Sequence, residues 1–99
     1  MKTSEFIKQL QEAHSISGLT KAELARWFDR SYWTVERWLN GSTPHLERKE
    51  AEERLELLCL AIKLKLLPLP PNTTGKSRQV NLRGIYIAVN QPISPSSVA

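Results

Sequence analysis

The chain has 99 residues, 40% of them hydrophobic and 24% charged, with a single cysteine and a net charge of +4. That length fits one domain with a small core and excludes two lobes around a deep cleft, and one cysteine excludes an internal disulfide and fits a reducing compartment. No apolar run is long enough to span a bilayer, and the opening "MKTSEFIKQLQEAH" is too polar for a signal peptide, so a small cytoplasmic protein with no membrane attachment is expected.

The stretch "TSEFIKQLQEAHSISG" predicts a first helix, with Thr3 or Ser4 as N-cap, Phe6, Ile7, Leu10 and Ala13 as its apolar stripe, and Gly18 as its end. In "LTKAELARWF", Thr20 followed three residues later by Glu23 forms a capping box, and Leu24, Ala25 and Phe28 point inward. "DRS" is a three-residue break, with Asp29 suited to a tight turn and Ser31 to the next cap. A short third helix follows in "SYWTVERWLNG", closed by Gly41. "NGSTPH" is a loop in which Pro44 bars helix until it is passed.

"LERKEAEERLELLCLAIKLKLL" predicts the longest helix, ending at Leu67. Its first half carries charged pairs such as Glu50–Arg54 at i,i+4. In its second half Leu55, Leu58, Cys59, Ile62 and Leu66 cover one face, and Leu57, Leu60, Leu64 and Leu67 much of the rest. A helix apolar nearly all round is buried on more than one side, here by a second subunit or by the tail. Residues 68–77 form a proline-rich linker that cannot continue the helix. The alternation of "SRQVNLRGIYIAV" then predicts a strand over 78–89 with a bulge or kink at Gly84, and "NQPISPSSVA" a polar, flexible end. Lys76, Arg78 and Arg83 place three of the chain's four surplus positive charges in 68–99, which holds no acid. They can track a nucleic-acid backbone or merely solubilise the tail.

The second and third helices, with so short a break between them, have the spacing of a DNA-binding helix-turn-helix. Ala25 is small where the two helices must cross closely, and Leu24, Val35 and Trp38 are apolar where their angle must be fixed. Tyr32, Trp33, Glu36 and Arg37 lie on the side of the third helix opposite Val35 and Trp38, facing solvent. Arg37 can donate two hydrogen bonds to guanine, Trp33 at i−4 can stack on its guanidinium, and Tyr32 or Trp33 can touch a thymine methyl. Glu36 can accept from a cytosine amine. The aromatic pair also fits a protein–protein contact or cover by the tail. Trp27 is expected to pack against another element.

Leu19–Gly41 resembles the lambda-repressor-like (Cro/XRE-type) helix-turn-helix family, whose members read L-T-x-x-E-L-A, a turn, then S-x-x-T-[IV]-x-x-W-x-N-G. Leu19, Thr20, Glu23, Leu24, Ala25, Ser31, Thr34, Val35, Trp38, Asn40 and Gly41 match without a gap. Asp29 stands in place of the usual turn glycine, and Arg30 in place of a usually apolar residue. The resemblance implies a mainly α, four- to five-helix domain over residues 1–67, followed by the 68–77 linker and the 78–99 strand and tail. It also implies base contacts from Tyr32, Trp33 and Arg37, and phosphate contacts from Lys21, Asn40 and Ser42.

Other signals fail. "GKS" at 75–77 lacks the first glycine of a phosphate loop, since Pro70 stands there, and "NTT" at 72–74 is a glycosylation sequon without secretory context. His14, His45 and Cys59 lack metal-ligand spacing, and no triad or carboxylate pair stands out, so neither a metal, a cofactor nor an enzymatic activity is expected. The sequence predicts a transcriptional regulator, a repressor of phage or bacterial type, that binds double-stranded DNA at an inverted-repeat operator. It would act as a homodimer through residues 55–67 and 78–89. A phage DNA-packaging or virion-associated assembly protein carrying the same domain is the alternative, and an antitoxin-like module a third.

Overall fold

A computed structural model describes residues 2–42 and 48–90. They form five helices: α1 (Thr3–Ser17), α2 (Lys21–Phe28), α3 (Tyr32–Leu39), α4 (Arg48–Lys63) and α5 (Gly75–Asn90). The fold is mainly helical, as expected, and the described residues include no strand.

Local chemistry sets the first three helices. The N-cap of α1 is Lys2, in extended backbone without a side-chain cap bond, so Thr3 and Ser4 sit inside the helix rather than capping it. Gly18 ends α1 at φ 69°, and Pro68 crowds it: a Cβ there would lie 3.1 Å from that of Pro68. Gly18→Ala is therefore expected to cost about 1–3 kcal/mol, read as a lowered midpoint in thermal unfolding. The capping box is present, with Thr20 Oγ1 accepting from the Glu23 N–H and Glu23 Oε1 accepting from the Thr20 N–H. Asp29 takes the left-handed conformation at φ 54°, which Asp tolerates better than most residues, and this turns α2 into α3. Ser31 Oγ accepts from the Thr34 N–H and caps α3. At its other end the Ser42 N–H bonds to the Arg37 carbonyl and the Gly41 N–H to that of Trp38. That pair of bonds, with Gly41 at φ 95°, is a Schellman ending.

Trp38 is the centre of the core. It is fully buried, and the rings of Phe6 from α1 and Phe28 from α2 meet it edge-on at 5.9 Å each. Leu10, Leu24, Val35, Leu55 and Leu58 are buried in the same core, so α1, α2, α3 and α4 all converge there. Helix α4 ends at Lys63, before the expected Leu67, and Lys65 at φ 62° turns the chain.

Residues 78–89, expected as a strand, belong instead to α5. The alternation over Val80, Leu82, Ile85, Ile87 and Val89 coexists with a helical stripe of Leu82, Ile85, Tyr86 and Val89, and these four pack on the core while Val80 and Ile87 stay exposed. Burial of that stripe outweighs the weak strand preference of β-branched residues. Helix α5 lies on α4, so the tail covers part of α4's apolar surplus, one of the two covers expected for it. Any homodimer contact through 78–89 would therefore be made by a helix rather than a strand. The expected flexible end from 91 onward lies outside the described residues.

Candidate nucleic-acid interface

Helix α3 buries Thr34, Val35 and Trp38 and turns its other side outward. Tyr32 and Trp33 remain 50% and 52% exposed, large aromatics left half in water on the first turn. The Arg37 guanidinium lies over the Trp33 ring, 3.7 Å from its centroid. This is the stacking the i−4 spacing anticipates, and it restrains an otherwise flexible side chain against the outer face. Gln11 of α1 fixes the far end of α3 by donating from Nε2 to the Leu39 carbonyl at 2.7 Å.

Lys21, at the start of α2, reaches Glu36 across the turn, Nζ to Oε1 3.8 Å. Both side chains are well exposed, and such surface pairs contribute only about 0–1 kcal/mol. Little opposes Lys21 leaving Glu36 for a stronger anionic partner. Asn40 and Ser42 are exposed at the C-terminal end of α3. The expected base-facing residues thus share one outer face, while Lys21 and the Asn40–Ser42 turn stand at its borders.

Three supports of this face escaped the sequence reading. Trp27 Nε1 donates to the Arg54 carbonyl and Arg54 Nη1 donates to that of Trp27, each at 3.0 Å, a reciprocal lock between α2 and α4. The signal was present in part, since Trp27 was expected to pack against another element. Arg30, in the turn between α2 and α3, extends its guanidinium to Glu50 of α4 at 3.4 Å. Arg78 of α5, with no role expected in the fold, binds the Glu23 carboxylate through Nε and Nη2 and donates from Nη2 to the Gly18 carbonyl.

The Arg78 contact ties α5 to the capping box of α2. Burial pushes the Glu23 carboxyl up, but the hydrogen bonds from Arg78 and Thr20 and the charge of Arg78 outweigh it, leaving the group below its ordinary value. A carboxyl lowered in the folded state stabilises the fold above its ordinary value, and that stabilisation is lost as the pH falls through the folded one. Arg78→Gln is therefore expected to flatten the acid limb of the stability–pH curve through the carboxylate range. Urea midpoints at neutral and acid pH measure this, and an unchanged acid limb would remove Glu23 from the account.

Comparison with models of known protein families, with curated proteins and with solved structures yields no match for the chain. Among the described residues no group of three His, Cys, Asp or Glu is placed to hold a metal ion, and no helix is long and apolar enough to cross a membrane.

Proposed function

We propose that the chain is a sequence-specific double-stranded DNA-binding protein of the lambda-repressor-like type, a phage or bacterial transcriptional repressor that works in the cytoplasm. The observation that carries this reading is the outer face of α3, where two aromatics stand half-exposed and one of them, Trp33, stacks on the Arg37 guanidinium. Folding alone has no use for that face, because the core is closed on the other side by Val35 and Trp38. A major groove about 12 Å wide admits a helix and offers what the face fits: guanine acceptors for the Arg37 fork and thymine methyls for Tyr32 and Trp33. Glu36, once Lys21 has moved to a phosphate, is free to accept from a cytosine amine. Lys21, Asn40 and Ser42 then serve the backbone on either side of the groove.

One such helix reads too few base pairs for useful specificity, so the protein acts as a homodimer on two half-sites about one helical turn apart. The surface for pairing comes from α4 with the turn after it and from α5, which leave Leu60, Leu64, Leu66 and Ile87 exposed. The contact is now one between helices, at the same segments, 55–67 and 78–89.

Selection from random duplexes, combined with a mass measurement of the free protein, tests the reading. A palindromic site and a dimer are the expected result; no enriched site overturns it, and a ring-sized oligomer with weak DNA preference favours a packaging role. Lys21→Ala is expected to weaken binding to all sequences alike and to reduce the slope of log affinity against log salt by about one. Gel-shift titrations at several salt concentrations measure both.

A further inference from the structure

Helix α5 is clamped to α2 at two points eight residues apart, or about 12 Å along the helix. At one end Arg78 holds Glu23 and the Gly18 carbonyl; at the other the Tyr86 ring meets Trp27 edge-on, centroids 5.0 Å apart. Between the clamps the two helices line a cavity of about 420 Å³ that opens to solvent, within the size range of small-molecule sites. Its walls are Leu19, Trp27, Val80 and Tyr86, and Arg26 and Arg83 also line it. Both arginines are exposed, and among the described residues neither guanidinium forms an ion pair or hydrogen bond. The acid that lines the cavity, Glu23, is already neutralised by Arg78.

We infer that this cavity binds a small amphipathic anion, a flat or branched apolar body carrying one carboxylate. Aromatic and aliphatic walls take the body, and two arginines from facing helices take the charge, guanidinium forks being matched to a carboxylate. The site lies on the side of α2 that carries Glu23, Arg26 and Trp27, whereas Lys21 on another side reaches α3. A bound anion therefore bridges α2 and α5 and leaves the outer face of α3 open. The site stands independently of what α3 contacts, because its test reads ligand binding alone.

Full-length, isotope-labelled protein is titrated with indole-3-acetate, phenylacetate and 4-methylvalerate, each to about 10 mM, with their neutral amides and inorganic phosphate as controls. Of the three tryptophan indole N–H resonances, that of Trp27 is expected to move, saturably, with at least one carboxylate. The matching amide, the double variant Arg26→Gln/Arg83→Gln, and Val80→Trp, which fills the cavity, are each expected to weaken binding at least about tenfold. Helical circular dichroism confirms that the variants fold, their sites being exposed. The inference is overturned if no carboxylate moves the Trp27 signal, if amide or phosphate binds as tightly, or if the double variant binds unchanged.

Discussion

Trp38→Ala is expected to cost about 3–5 kcal/mol, the largest loss from any single substitution in this chain. The side chain is fully buried, and its ring is gripped edge-on by Phe6 and Phe28, so removal leaves a cavity that neither neighbour can fill. Edge-on pairs add about 0.5–1.5 kcal/mol each beyond the area they bury. Domains of this size are stable by only about 5–15 kcal/mol, so the variant sits near the edge of folding, and its midpoint should fall by roughly 20 °C. Trp38→Phe keeps most of the volume and one of the ring contacts, and should recover at least about half of the loss. Thermal melts followed by helical circular dichroism separate the two variants. If Trp38→Ala melts within a few degrees of the parent, the core is not organised around this ring.

The parts of the fold that the sequence makes legible are those decided within a few residues. Thr20 with Glu23, Ser31 with Thr34, Asp29 at the turn and Gly41 at the end of α3 each satisfy backbone groups three to five positions away. Their meaning can be read without a partner. The segment 78–89 is different, because its apolar residues fit two periods at once. What selects the helix is Arg78 finding Glu23, 55 residues earlier, and Tyr86 meeting Trp27 and lying under Arg54. No local rule contains those contacts. The same limit applies at the candidate interface. The stack of Arg37 on Trp33 lies within one helix turn and is legible, whereas the pairing of Lys21 with Glu36 requires the angle between α2 and α3. That angle is in turn set by Ala25, Val35 and Trp38 in a core that also includes α1 and α4.

On the operator that selection identifies, Arg37→Ala is expected to lower affinity by about 10- to 100-fold, the 1–3 kcal/mol of a bidentate contact to guanine. The loss should be confined to one or two base positions, so that preference there relaxes while the rest of the site is read as before. Arg37→Lys should not rescue it, because an ammonium has no planar fork to match two acceptors on one edge. On the proposed reading, Trp33 acts on the same contact by a second route. Its ring holds the Arg37 guanidinium at 3.7 Å, and without it the arginine must be ordered at the moment of binding, at a cost of up to about 2 kcal/mol. Trp33→Ala therefore loses both its own base contact and part of that of Arg37. In a double-mutant cycle the two losses should overlap, with a coupling of about 0.5–1 kcal/mol rather than a simple sum. Additive losses would mean that the stack is idle when DNA is bound. If instead both single variants bind every duplex as the parent does, the outer face of α3 does not read DNA, and its aromatics are left to serve a protein partner.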